Sequence, residues 1–175
     1  MSDTLSPLTD AEYLALRAYL LEELADPDLT YGTAATAWMI WTGAHPVVVT
    51  EPNRHNLQLD GDYVTWRRPK TGRYVRVPLV PELRPTAAQI LAAFHERPRS
   101  LTWTNKVVKE TGRMAGLKGV CSPRTLRHTY IARVMRASGN PYLTAQLAGT
   151  TYEVAQEYAR YIDQGSIDRM LKEGL

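Results

Sequence analysis

Ser122-Pro123-Arg124-Thr125-Leu126-Arg127-His128-Thr129 is the stretch around which the rest of the chain is organised. Ser followed by Pro marks a helix start: the hydroxyl caps orphan amides, and Pro in the first helical position sacrifices no useful N–H. Arg124 and Arg127 stand three residues apart and so share one face of the first turn. Free backbone N–H groups, the positive end of the helix dipole and two guanidinium forks then converge on one spot, an arrangement that suits a phosphate. Two solvated arginines on an ordinary helix are the plain alternative.

The charge pattern agrees with an anionic partner. The net charge is only +3, but residues 1–66 hold ten acids against two bases, Arg17 and Arg54. Residues 67–136 hold sixteen bases against three acids, Glu82, Glu96 and Glu110. One sign gathered in the middle of a globular chain points to a polyanion, nucleic acid before membrane.

At 175 residues the chain is expected to form one domain with a real core. No apolar run nears the roughly 20 residues needed to span a bilayer, and no signal segment opens the chain, so a membrane is not expected as a partner. The single Cys121 excludes an internal disulfide and any Cys-cluster metal site, which suits a reducing cytoplasm. Four scattered histidines lack metal-ligand spacing, so neither metal nor other cofactor is expected.

Working outward, the pattern predicts a mostly α fold with a small three-stranded antiparallel β-sheet (α+β). An amphipathic helix follows Thr9-Asp10 and runs to about Ala25, broken by Asp26-Pro27-Asp28. A second, from about Tyr31 to Thr42, is apolar nearly all round and therefore central, and Gly43 ends it. Between about 56 and 79 the period changes to two. Asp60-Gly61-Asp62 reads as one hairpin turn and Lys70-Thr71-Gly72 as another, the second a basic finger carrying Arg67, Arg68, Lys70 and Arg73. Helices are then expected over 86–95, 102–115, 123–137, 141–148, 151–161 and 166–172. Trp103, Val107, Val108 and Met114 read as core residues of the second of these.

This order resembles the catalytic domain of the tyrosine recombinases, the phage-integrase family, over nearly the whole chain. The strongest match is Thr125-Leu126-Arg127-His128-Thr129, followed by Leu147-Ala148-Gly149 and Tyr158-Ala159-Arg160. Arg68-Pro69-Lys70-Thr71-Gly72-Arg73 leading into Val75-Arg76-Val77-Pro78-Leu79 is similar to the family's sheet, and Thr42-Gly43-Ala44-His45-Pro46 to the end of its second helix. The resemblance implies that a tyrosine hydroxyl attacks a phosphodiester of double-stranded DNA, leaving a 3′-phosphotyrosyl link and a free 5′-hydroxyl, and that the reverse attack rejoins a strand. The covalent bond conserves the energy, so such a reaction needs neither ATP nor metal.

Carried over residue by residue, the resemblance makes Tyr158 the nucleophile, Arg127 the second activating arginine and Lys70 the general acid. Arg124 stands where the family usually has His or Lys. Arg67, Arg68 and Arg73 on the finger, with Lys106, Lys109 and Arg113 on the 102–115 helix, are expected to contact DNA. Tyr161, one turn on, is a rival nucleophile, and Tyr158 and Lys70 also have ordinary readings as a packed helix residue and an exposed turn lysine. The chain departs from the family at two positions. His45 replaces the first phosphate-clamping arginine, and an imidazole, mostly neutral at pH 7, is no substitute for a permanent bidentate charge. Arg54 is a candidate substitute that the sequence does not place. Thr150 stands where the family usually has His or Trp, and it also reads as the N-cap of a capping box, Thr150-Thr151-Tyr152-Glu153. The spacing from Gly149 to Tyr158 is one residue short of the common one.

Three functions stay open at this point: an active strand-exchange enzyme for integration or resolution of a mobile element, a catalytically degenerate DNA-binding or regulatory protein, and a strand-nicking relaxase of the type IB topoisomerase kind. The first helix already matches the start of the catalytic domain, so residues 1–175 are expected to be that domain, without a separate N-terminal core-binding domain. A terminal helix with Ile167, Met170 and Leu171 on one face is expected to support self-association on DNA.

Overall fold

Thr9 opens the first helix as expected: its hydroxyl accepts from the Glu12 amide while the Glu12 carboxylate accepts from the Thr9 amide, a reciprocal capping box. The computed structural model describes residues 7–162 and 172. Helix α1 (Asp10–Leu24) lays Tyr13, Leu16, Leu20 and Leu24 against α2 (Tyr31–Thr42). Every residue of α2 after Tyr31 is buried, and α1, α4, α5 and α6 all pack around it; α4 spans Ala87–Glu96, α5 Leu101–Met114 and α6 Pro123–Ser138. The all-round apolar sequence of α2 thus becomes the axis of the helical body. Trp38 sits fully enclosed, edge-on to Phe94 of α4 with ring centroids 5.9 Å apart.

A short helix, α3 (Pro46–Thr50), follows α2 and was not expected from sequence. His45 precedes it in the cap position but makes no side-chain cap bond, so only Pro46 marks the start. The sheet that follows has the order β1-β2-β3, all antiparallel, with β1 at Gln58–Asp60, β2 at Tyr63–Arg67 and β3 at Tyr74–Pro78. Leu59 pairs with Val64, Val64 with Val77 and Trp66 with Val75, so alternate side chains enter the core. Between β2 and β3 the chain loops out through Lys70. The Arg68 amide donates to the Arg73 carbonyl at 2.8 Å, and the Gly72 amide to the Arg68 carbonyl at 3.0 Å, closing the neck of that loop.

Helix α6 leads into α7 (Pro141–Ala148) and α8 (Tyr152–Glu157), which tightens into a 3₁₀ turn over Tyr158–Tyr161. The continuous helix expected over 151–161 is therefore two shorter pieces. Helix α7 packs on the edge strand β3. At its C-terminus Gly149 adopts φ 59°, and a Cβ there would lie 2.7 Å from Val75 Cγ2, so only glycine allows this approach. Of the residues predicted for the core of α5, Val108 is fully buried, whereas Trp103 is 36% and Met114 60% exposed. Trp103 instead forms an outer plate, edge-on to the ring of Tyr31 and with the guanidinium of Arg99 over its face. The predicted helix over 166–172, with Ile167, Met170 and Leu171, lies outside the described residues. No helix among the described residues is long and apolar enough to cross a membrane.

Candidate active site

The start of α6 is built as its sequence requires. Ser122 Oγ accepts from the Thr125 amide at 3.1 Å and Pro123 takes the first helical position. One turn in, the half-buried Arg127 sends its guanidinium back to α2, where Nη1 donates to the Gly43 carbonyl. Gly43 is the left-handed cap of α2, with φ 69° and its amide bonded to the Met39 carbonyl. Two chain segments 84 residues apart are joined there, and the Arg127 fork is fixed at the mouth of a cleft.

That cleft has a volume of about 600 Å³. Arg124, Arg127 and His128 line it from α6, His45 and Pro46 from the start of α3, and Arg68 and Lys70 from the β2–β3 loop. Gly149, Thr150, Val154 and Tyr158 close the far side. Four permanent or near-permanent cations meet there, and no carboxylate lines it among the described residues. Such a surface attracts and orients an anionic group.

Each titratable group in the cleft reports that environment. Burial, reinforced by the charges of Arg127, Lys70, Arg68 and His55, lowers the pKa of His45 from 6.5 to about 4, so its imidazole is neutral at pH 7. Burial lowers Arg127 to about 10, partly offset by Tyr158, and leaves it charged at pH 7. Burial pushes the Tyr158 phenol up to about 12 against the opposing pull of Arg127. The Tyr158 residue is only 1% exposed, yet it lines the cleft and its hydroxyl bonds to His128 Nδ1.

The structure thus brings together Tyr158, Arg127, Lys70, Arg124, His45 and Thr150, all nominated from sequence. Thr150 is not the cap of α8. Its amide closes α7 by donating to the Ala145 carbonyl at 2.9 Å, and the cap passes to Thr151, whose hydroxyl accepts from the Val154 amide at 3.3 Å. Of the expected DNA contacts, Arg68 enters the cleft itself, while Arg67 and Arg73 are exposed at the neck of the loop. Lys109 lies in an adjoining groove beside Pro46 and Arg124. Lys106 and Arg113 are exposed on α5 away from the cleft lining, and Arg113 pairs with Glu110 at 2.6 Å. Arg54 pairs with Glu51 at 2.7 Å and does not line the cleft, whereas Arg68 does. Tyr161 lines a different groove, between α1 and α6, which leaves Tyr158 as the phenol of the cleft. His128 is the residue sequence reasoning passed over; its position four residues after Arg124 places both on one helical face and was the available signal.

No protein-family model and no curated protein matches the sequence. Solved structures do match by shape. XerA recombinase superposes with a TM-score of 0.68 over 95% of this chain and 62% of its own, at 18% identity. A lambda integrase tetramer bound to a Holliday junction gives 0.62 over 87% and 47%, at 17% identity. The Tn1549 transposon integrase in complex with circular intermediate DNA gives 0.53 over 96% and 65%, at 15% identity. The chain therefore spans about half to two thirds of the length of these proteins. Helical body, three-stranded antiparallel sheet and their order along the chain agree: this chain has the fold of a tyrosine-recombinase catalytic domain.

Proposed function

We propose that the chain is the catalytic domain of a site-specific DNA recombinase or integrase, cleaving and rejoining double-stranded DNA through a 3′-phosphotyrosyl intermediate on Tyr158. The observation that carries this reading is the convergence of the Tyr158 hydroxyl, Arg127, Arg124 and Lys70 on one cation-lined cleft. Arg127 and the other guanidinium groups hold the non-bridging oxygens, whose charge grows in the transition state. Lys70, exposed on its loop, protonates the departing 5′-oxygen. The similarity to recombinase structures solved with DNA, one of them in a post-cleavage complex, supports duplex DNA as the partner. Dimeric and tetrameric assemblies among those structures support self-association on DNA, which we assign to the terminal segment. The compartment is the cytoplasm of the cell that carries the target DNA.

Incubation with a nicked suicide duplex in EDTA tests the chemistry. A denaturant-resistant protein–DNA adduct is expected, absent in Tyr158→Phe. No adduct from the native chain at any protein concentration overturns the enzymatic reading. His45 and Thr150 favour one second reading, a DNA-binding regulator that no longer cleaves, since each lost transition-state donor costs on the order of a hundred- to a thousandfold in rate. That protein binds DNA in a salt-sensitive manner, equally well with Phe at 158.

A further inference from the structure

Three side chains in the cleft form a chain of hydrogen bonds. Arg124 Nε donates to His128 Nε2 at 3.2 Å, and His128 Nδ1 bonds to the Tyr158 hydroxyl. An arginine N–H has no lone pair to offer, so Nε2 is the acceptor and the proton of the neutral imidazole sits on Nδ1. Nδ1–H therefore donates to the phenol oxygen, and the phenol's own proton points elsewhere. In this tautomer His128 has no free lone pair for that proton and is not the general base. It is a donor aimed at the oxygen that becomes negative.

We propose that Arg124 and His128 form a donor relay for the nucleophile: Arg124 fixes the imidazole tautomer, and His128 Nδ1–H stabilises the negative charge that develops on the Tyr158 oxygen as its proton leaves. Arg124 is then a positioning residue that acts through His128, while His128 touches the reacting atom. The chemical consequence rests on the recombinase reading. In cleavage the phenol's proton leaves to solvent, the Tyr158 oxygen bonds to phosphorus, the bond from phosphorus to the 5′-oxygen breaks, and that oxygen takes a proton from Lys70. In rejoining the 5′-hydroxyl returns its proton to Lys70 as its oxygen bonds to phosphorus, the bond from phosphorus to the Tyr158 oxygen breaks, and His128 meets the electron pair left on that oxygen with the same hydrogen bond. Burial disfavours this anion, Arg127 and Arg124 favour it, and Tyr161 and Glu157 oppose it, so a neutral donor on the oxygen itself adds to what the two guanidinium charges supply.

The test places a fluorinated tyrosine at position 158 of the full chain, which brings the phenol's ionisation into an accessible pH range, and follows it by 19F NMR without DNA. His128→Ala is expected to raise that pKa by about one to two pH units, the worth of a hydrogen bond to a charged oxygen. Arg124→Met, on an exposed residue whose loss leaves the core intact, is expected to raise it as well, and Arg124→Lys, which keeps a donor, to raise it less. An unchanged phenol pKa in both His128→Ala and Arg124→Met overturns the relay. In the suicide-duplex assay the His128→Ala defect is expected to shrink when the acidic fluorotyrosine replaces Tyr158, a rescue that a merely structural role for His128 does not give. Absence of any adduct from the native chain refutes the recombinase reading and leaves the NMR result to decide the relay.

Discussion

His45 offers the sharpest quantitative test of the cleft, because its neighbours make protonation costly. In the unfolded chain its imidazole titrates near 6.5; in the folded chain burial and three surrounding cations hold it at about 4. Between these values the unfolded state carries a proton that the folded state refuses. Stability is therefore complete above about pH 6.5, falls as the pH drops, and stops falling on this account below about pH 4. Two and a half pH units correspond to roughly 3 kcal/mol, an upper figure because the half-buried ring is partly screened. Urea denaturation of the native chain and of His45→Gln at a series of pH values isolates this contribution as the difference in their slopes. Native protein is expected to lose on the order of 2–3 kcal/mol more than His45→Gln between pH 7 and pH 4. Parallel pH profiles would falsify the picture of an imidazole pressed into a cationic cleft. The same logic predicts that a bound phosphate, by balancing Arg127, Lys70 and Arg68, raises the His45 pKa, so that DNA binding below pH 6 takes up a proton.

Three further outcomes follow from particular contacts. His45→Arg restores a permanent charge beside Arg127 and is expected to raise the rate of adduct formation by ten- to a thousandfold, read in the suicide-duplex assay; an unchanged rate removes position 45 from the phosphate clamp. Gly43→Ala is expected to cost about 2–5 kcal/mol in urea denaturation, because φ is 69° and the new Cβ would lie 2.2 Å from Tyr130 Cδ1. Less than about 0.5 kcal/mol there contradicts the cap geometry. Cys121, buried and pushed up to about 12 by burial and by Glu12, is expected to resist maleimide in the native chain at pH 8 and to react once unfolded.

Much of the fold was legible because the local signals were strong and mutually consistent. Thr9 with Glu12, Ser122 with Pro123 and Asn140 with Pro141 all start helices where the sequence placed them. Gly43 and Gly149 end helices in the left-handed conformation. The α3 helix was not legible, since histidine gives no capping preference to reinforce Pro46. Adjacent threonines concealed the true cap of α8: Glu153 made Thr150 look like the start, but the unfinished last turn of α7 claimed its amide. For Trp103 and Met114, apolar character was mistaken for burial, and both instead sit at the surface against half-buried rings, Trp103 on Tyr31 and Met114 on Tyr19. The site was legible as a set of residue types in order, since Lys70, Arg127 and Tyr158 do line one cleft. The separate parts played by Arg67 and Arg68 were not, because which neighbour turns inward depends on how the strand ends. Nor was the bond between His128 and Tyr158, which joins positions 30 residues apart.

The enclosure of Tyr158 has a consequence for the fate of a broken strand. An ester formed on that oxygen inherits the shelter of a ring that is 1% exposed, with His128 beside it and α8 behind it. The buried ring shields the tyrosyl side of such a phosphorus, whereas a terminal sugar hydroxyl is delivered to its open side by the base-paired duplex that carries it. Under the proposed chemistry, resealing is then favoured over hydrolysis, and the duplex is not left with an open break.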